Sequence, residues 1–316
     1  MEIHSEERLT MYRYMVFGRL LEEKLATIIP YWHASQGEEA SLVGTFLPLG
    51  NDDYVSVHYR GVSLAYYMRG GDLRKIIAGH IGKDTSYSRG RIAAKTGPFQ
   101  IRALGKFSGS LGTNLNMAAG VALAIMLRKW QEVVLVTFGD GTSSRGDFHE
   151  AINWSGVMRL PIVFVCQNNQ WGSSLPFGKS TAAKSIADRA AGYGILGEKV
   201  DGNDVEAVFR SVKLAIDRAR GGGGPTLIET LTYRMCGHNV ADKEEYRTKE
   251  EVQEWLRRDP ISRYRENLIK AGVLNTELST QIIEASKREI EAAAQKALED
   301  PWPPGEVLTI GGMFSV

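Results

Sequence analysis

Between Val133 and Trp171 the chain runs through an apolar stretch, a glycine-flanked acid, an amphipathic stretch, a second apolar stretch and an amide pair, an order few folds accommodate. Val133-Val134-Leu135-Val136-Thr137-Phe138 is short and rich in β-branched residues, as in a strand covered on both faces. It stops at Gly139-Asp140-Gly141. Phe148, Ile152, Ser155 and Met158 then recur at helical spacing, and Pro161 opens Ile162-Val163-Phe164-Val165-Cys166 ahead of Asn168-Asn169-Gln170-Trp171. The pattern predicts a βαβ unit. A right-handed crossover sets its strands parallel, so Asp140 and Asn169 both emerge at carboxyl ends of strands, where open α/β sheets bind ligands.

Magnesium takes hard oxygen ligands in a near-octahedral shell, one or two from side chains and the rest from substrate phosphates and water. The Asp140 carboxylate and the Asn169 amide oxygen suit such a shell. Glycine at 139 and 141 leaves no Cβ between backbone and phosphate, and its free dihedrals suit a tight turn presenting N–H groups. A lone G-D-G is more often an ordinary turn. The amide pair one βαβ unit later is what gives it meaning.

This spacing resembles the thiamine diphosphate fingerprint. With Phe148-His149-Glu150-Ala151 and Leu160-Pro161-Ile162-Val163-Phe164-Val165, it is similar to the alpha subunit of the decarboxylating first component of 2-oxo acid dehydrogenase complexes, the pyruvate, branched-chain and acetoin dehydrogenases. Counterparts run through His33-Ala34-Ser35-Gln36-Gly37-Glu38-Glu39-Ala40, Tyr59-Arg60-Gly61, Gly112 to Ala124, Asp201-Gly202-Asn203-Asp204 and Thr232 to Ile261. Residues 83 to 108 depart from the family pattern.

The resemblance implies an α/β fold with a mostly parallel central sheet, helices on both faces and a C-terminal helical extension. Residues 1 to 316 would form a single thiamine diphosphate-binding domain, with an N-terminal helix at about 5–29 and a helical region at about 249–316. It implies thiamine diphosphate and Mg2+ as cofactors, with Asp140, Asn169 and the Trp171 carbonyl on the metal. Tyr59, Arg60, Gly141 and Thr142 would contact the cofactor, and Gly109 and Leu111 would approach it through main-chain atoms. An arginine fork matches phosphate oxygens in charge and shape. His238 lies on the loop that closes the site, and an imidazole there can donate to phosphate or exchange protons near neutral pH. His33 would hold the substrate carboxylate. The bland readings are a surface arginine, structural histidines and close packing at Gly109-Ser110-Leu111-Gly112.

The implied activity is oxidative decarboxylation of a 2-oxo acid with reductive transfer of the acyl unit to a lipoyl group. The family's cofactor-activating glutamate comes from a beta subunit, so the resemblance implies an α2β2 heterotetramer bound to a lipoyl-bearing acyltransferase core. The alternatives are an acetoin dehydrogenase subunit, a split transketolase-like aldehyde transferase and a scaffold paralogue without activity. A nicotinamide site would want G-x-G-x-x-G after the first strand, which is absent.

A net charge of +1 offers no field for nucleic acid. The two cysteines, Cys166 and Cys236, lack metal or redox spacing. No apolar run reaches the ~18 residues of a membrane span, and Met1 to Glu7 shows neither a signal h-region nor an arginine-rich transit peptide, so a cytoplasmic protein is expected.

Elsewhere the pattern predicts scaffold. A helix capped by Asn203 or Asp204 carries Val205, Val208, Val212 and Ile216 inward and stops at the Gly221 to Gly224 run. A strand from Leu227 to Tyr233 follows, and it brings His238 to the edge holding Asp140 if it runs parallel. Ala241 to Arg247 reads as a charged, mobile loop. A helix from Lys249 to Arg258 is expected to end at Asp259-Pro260, and a last one spans about Glu277 to Glu299. Asn239, directly after the loop histidine, has no hydroxyl, which excludes phosphorylation at that position.

Overall fold

The structure is a computed structural model, and it describes residues 2–91, 99–105 and 110–305. Six parallel strands form one sheet in the order β2-β1-β3-β4-β8-β7. They are β1 (Tyr54–Ser56), β2 (Ala103–Leu104), β3 (Val134–Gly139), β4 (Ile162–Asn168), β7 (Leu196–Asp201) and β8 (Thr226–Leu231). A short antiparallel hairpin, β5 (Trp171–Gly172) with β6 (Leu175–Pro176), leaves the end of β4.

Side-chain alternation along β3 and β4 divides the core. Val134, Val136, Phe138, Ile162, Phe164 and Cys166 pack with α5 (Thr113–Leu127) and α6 (Gly146–Met158). Leu135, Val163 and Val165 pack on the opposite face with α1 (Ser5–Ile28), α2 (Glu39–Phe46), α8 (Val205–Arg220) and their neighbours. That second layer also includes α3 (Val62–Met68), α4 (Leu73–His80), α10 (Pro260–Lys270) and α11 (Thr276–Glu299). The expected α/β fold with helices on both faces is what forms. The remaining helices, α7 (Phe177–Ser180) and α9 (Lys249–Leu256), border the strand ends.

The predicted βαβ unit is β3-α6-β4, paired in parallel from Val134 opposite Ile162 to Gly139 opposite Gln167. β8 pairs parallel to β4, so the chain beyond Leu231 does reach the edge where β3 delivers Asp140. Asp204 caps α8 through the N–H groups of Glu206 and Ala207 at 3.1 and 3.0 Å. Asn203 instead accepts the Thr232 hydroxyl at 2.8 Å, tying the start of α8 to the end of β8.

Two expectations change. Asp259-Pro260 does not close a helix reaching Arg258: α9 stops at Leu256, and Asp259 accepts the Ser262 N–H at 2.8 Å to start α10, with Pro260 in its first turn. Gly139 and Gly141 do not provide unusual dihedrals, since Gly139 has φ −88° and neither is among the residues of positive φ. What they provide is space: a Cβ on Gly139 would meet nothing within 4 Å, and one on Gly141 only the Gly172 Cα at 3.5 Å. The C-terminal helical region is present as α9, α10 and α11, while residues 306–316 of the expected span lie outside the described residues.

Candidate active site

The carboxyl ends of β1, β3, β4 and β8, joined by the segment between α1 and α2, enclose a cavity of about 530 Å³. His33, Tyr59, Arg60, Leu111, Asp140, Gly141, Thr142, Asn169, Trp171 and His238 all line it. The sequence reading had drawn these from six separated stretches, and the fold gathers them at one place. Gly109, the remaining residue of that set, lies outside the described residues.

The meeting depends on backbone geometry. Gly37 adopts φ +94°, and a Cβ there would collide with the Tyr233 carbonyl oxygen, so only glycine lets the His33-to-Glu38 segment lie against the chain leaving β8. Hydrogen bonds hold that seam, from Met235 N–H to the Gln36 carbonyl and from the Thr232 hydroxyl to the Gly37 carbonyl, both at 2.9 Å.

Asp140 is buried, and its Oδ2 has no hydrogen-bond partner. Desolvation pushes its carboxyl up to about 6, against the pull of neighbouring N–H groups, Arg234 and Arg60. An orphaned buried carboxylate oxygen is costly, and a cation is the kind of partner that would satisfy it. Asn169 donates Nδ2 to Glu38 Oε1 at 2.8 Å and accepts the Trp171 N–H on Oδ1 at 3.3 Å. The Trp171 carbonyl accepts one bond, from Arg234 Nη1 at 3.3 Å, which leaves a lone pair. Among the described residues no group of three or more His, Cys, Asp or Glu side chains is placed to hold a metal. An ion in this cavity would therefore rely on one carboxylate with amide and carbonyl oxygens.

Arg60 reaches the cavity wall almost wholly buried. It donates to the Ala34 carbonyl and, at 3.3 Å, to the His238 carbonyl, while its Nε lies 3.6 Å from Glu38 Oε1. His58 orders this arginine: its Nδ1 accepts the Arg60 N–H at 3.2 Å, so Nε2 carries the proton and donates to Gln167 Oε1 at 2.6 Å.

The His33 ring stands edge-on to those of Tyr59 and His238, with centroids 5.0 and 4.9 Å apart. Desolvation, with the charges of Arg60 and Arg234, pushes the His238 imidazole down to about 4, so it is neutral at pH 7. Within Ala241 to Arg247, the stretch expected to be a charged, mobile loop, Asp242 accepts from the His238 N–H and the Tyr246 hydroxyl, Tyr246 accepts from Arg234, and Arg247 donates to the Arg234 carbonyl. Glu251 of α9 accepts from both Trp171 Nε1 at 2.9 Å and the Tyr233 hydroxyl at 2.7 Å, fixing the indole of a residue that lines the cavity.

Sequence reasoning passed over Glu38, His58, Gln167, Arg234 and Glu251. Glu38 sits inside a stretch already singled out, but nothing in its spacing separates it from Glu39, which turns to Arg19 and the Gly37 N–H. Arg234 carried a visible signal, an arginine four residues ahead of the loop histidine, and its Nη1 lies 3.4 Å from that imidazole.

A family model described as "Dehydrogenase E1 component" matches residues 7–306. The 2-oxoisovalerate dehydrogenase subunit alpha of Bacillus subtilis (strain 168) is 36% identical over 313 residues, spanning 96% of this chain and 94% of that protein. The pyruvate dehydrogenase E1 component subunit alpha of the same organism is 35% identical over 307 residues, 95% of this chain and 80% of that one. Its Staphylococcus aureus (strain COL) counterpart is 35% identical over 303 residues, 94% and 79% respectively.

Proposed function

Since the chain belongs to the dehydrogenase E1 component family, we infer that it is the alpha subunit of a 2-oxo acid dehydrogenase, the component that decarboxylates the acid and passes the acyl unit to a lipoyl group. The observation that carries this reading at the level of residues is the single cavity holding Asp140 with its unpartnered Oδ2, Asn169, Arg60 and His238.

The residues present fit thiamine diphosphate with Mg2+. The donor set is all oxygen, which suits magnesium, and Gly139 and Gly141 leave the backbone open to a phosphate. Asp140, Asn169 and the Trp171 carbonyl would hold the ion. Tyr59, Arg60, Gly141, Thr142, Leu111 and, from sequence, Gly109 would border the cofactor. Thiamine diphosphate, when bound, supplies the electron sink that lets a 2-oxo acid lose carbon dioxide.

This chain's part is to bind, orient and shield. Arg60, beside its partner Glu38, contributes positive potential at the diphosphate end. His238, neutral, can donate or accept a hydrogen bond at the reacting carbonyl without adding charge. The tied loop restricts water at the cavity mouth. His33, next to His238, offers a polar edge to a substrate carboxylate or carbonyl.

The two substrates named among the relatives, pyruvate and 2-oxoisovalerate, differ by branching, and identity to their subunits is nearly equal. Leu111, Leu175 and the rings of Tyr59 and Trp171 give the described lining apolar surface that either acid could use, so the choice between the two rests on the substrate panel below.

Asp140 is the only carboxylate among the described lining residues, so a second acid has to come from elsewhere. This supports a beta subunit in an α2β2 assembly, docked to a lipoyl-bearing core. Leu127 of α5 and Trp154, Val157 and Met158 of α6 are exposed on the outer face of one helical layer, as suits a partner surface. Residues 1–316 are read as one domain because both core clusters share one sheet. Among the described residues no helix is long and apolar enough to cross a membrane.

The test is decarboxylation by the chain co-expressed with its beta partner, using pyruvate, 2-oxobutyrate, branched 2-oxo acids and acetoin with an artificial electron acceptor. Activity should need both chains, thiamine diphosphate and Mg2+, and should vanish in Asp140→Ala. Full activity of the chain by itself would refute the reading.

A further inference from the structure

Glu38 is fully buried at the N-terminus of α2, in the N-cap position, yet its side chain makes no capping bond. The neighbouring Gly37 N–H is taken by Glu39. A carboxylate removed from water is costly, and this one has no role in starting its helix. Its Oε1 accepts Asn169 Nδ2 at 2.8 Å and lies 3.6 Å from Arg60 Nε, while its Oε2 has no partner. The residue thus joins the asparagine assigned above to the ion and the arginine assigned to the diphosphate.

An asparagine amide has two chemically opposite ends of nearly equal size, and only the oxygen can face a cation. Two neighbours decide which end points where. Glu38 Oε1 accepts from the amide and so selects the NH2 group, and the Trp171 N–H only donates and so selects Oδ1. With both satisfied, Oδ1 keeps one lone pair free, on a residue that lines the cavity. Without Glu38, the 3.3 Å bond from Trp171 is the one constraint left of the two.

We propose that Glu38 is a positioning residue that fixes the Asn169 amide with its oxygen toward the divalent cation. The proposal rests on the thiamine diphosphate and magnesium reading of the cavity. Outer partners of this kind orient a ligand and typically alter metal affinity by about 10–100-fold when removed. The rival explanation is that Glu38 serves only as the counter-charge to buried Arg60.

The experiment measures thiamine diphosphate-dependent Mn2+ binding by electron paramagnetic resonance on the assembled protein, for wild type, Glu38→Leu, Glu38→Gln, Asn169→Asp and the Glu38→Leu/Asn169→Asp pair. Leucine removes the acceptor and should weaken Mn2+ binding by about 10-fold or more. Glutamine keeps an acceptor oxygen without charge and should stay within about 3-fold of wild type. With aspartate at 169 either end presents an oxygen, so the leucine penalty should disappear in that background, a coupling a double-mutant cycle reads directly. Glu38→Thr, whose hydroxyl is too short to reach Asn169, replaces the leucine variant if that one does not fold.

Equal losses for leucine and glutamine, equal leucine penalties in both backgrounds, or wild-type affinity in folded Glu38→Leu would each overturn the proposal. Absence of cofactor-dependent Mn2+ binding in wild type would overturn the reading of the cavity itself, a result distinct from any of these.

Discussion

The backbone N–H of His238 donates to the Asp242 carboxylate at 2.6 Å, and the Tyr246 hydroxyl donates to the same oxygen at 2.6 Å. Arg234 donates to Tyr246 at 2.7 Å, and Arg247 donates to the carbonyls of Arg234 and Cys236 at 2.5 and 2.7 Å. The loop is thus closed by a carboxylate that reads its own backbone. Desolvation would raise the Asp242 carboxyl, but the bonds from Tyr246, Glu244 N–H and His238 N–H, with Arg234 nearby, hold it down at about 2. A depressed acid contributes stability above its unfolded value near 4 and loses it only as pH falls through about 2, so the latch stays closed at any working pH. Asp242→Ala should open it. The expected outcome is several-fold faster limited proteolysis between residues 239 and 247 and a raised KM, with the sheet's thermal midpoint nearly unchanged. Unaltered cleavage in the variant would show that Arg247 alone holds the loop.

The neutrality of His238 is open to direct observation. Its folded value of about 4 lies below the ordinary 6.5, so the charged form is disfavoured in the native protein; stability linked to it is complete above 6.5 and is lost as pH falls toward 4. In carbon-13 histidine spectra, the resonance that disappears in His238→Asn should keep its neutral position from pH 8 down to about 5.5. A midpoint near 6.5 would mean that Arg60 and Arg234 do not act on the ring as their positions require.

The course of β3, α6 and β4 was legible in the chain because long, fully covered strands and a bordered helix leave strong patterns. Asp140 and Asn169 stood out for the same reason, since they stand at the ends of those elements. Other parts left no pattern. β1 has three residues, too few for any periodicity, and α2 is buried on every side, which erases the amphipathic signal. β7 is an edge strand whose residues are mostly exposed, and its Glu198, Lys199 and Asp201 resemble loop composition while guarding an open edge. The support around the site was hidden for another reason. Glu38 meets Asn169, and His58 meets Gln167, across more than 100 positions, and only the folded sheet places those pairs together.

Glu22 gives a pH-dependent test away from the proposed ligands. It is buried, accepts from Trp32 Nε1 at 2.5 Å, and desolvation pushes its carboxyl up to about 7 despite that bond and Arg60. An acid raised on folding binds more protons in the native state between about 4.5 and 7. Its contribution is therefore most favourable below 4.5 and is lost as pH rises through 7, by an amount on the order of 3 kcal/mol at most. Glu22→Gln keeps an acceptor for Trp32 and does not titrate. Urea unfolding should show the variant gaining stability relative to wild type between pH 5 and pH 8. A difference independent of pH would sink the argument.

His33 provides the last test, because it turns the question of substrate into one of lining. Its ring fills the corner between Tyr59 and His238, and as an imidazole it keeps that corner polar and narrow. The carboxylate or carbonyl of a 2-oxo acid would gain a hydrogen bond there, and pyruvate and 2-oxoisovalerate carry those groups alike. His33→Leu should therefore lower kcat/KM for both acids by about 10-fold or more, the worth of a hydrogen bond to a charged group, and leave their ratio within about 3-fold. Competition assays with the two acids on the assembled protein read the ratio directly. If the ratio shifts by about 10-fold toward the branched acid, the alkyl group rests against His33 and the carboxylate does not.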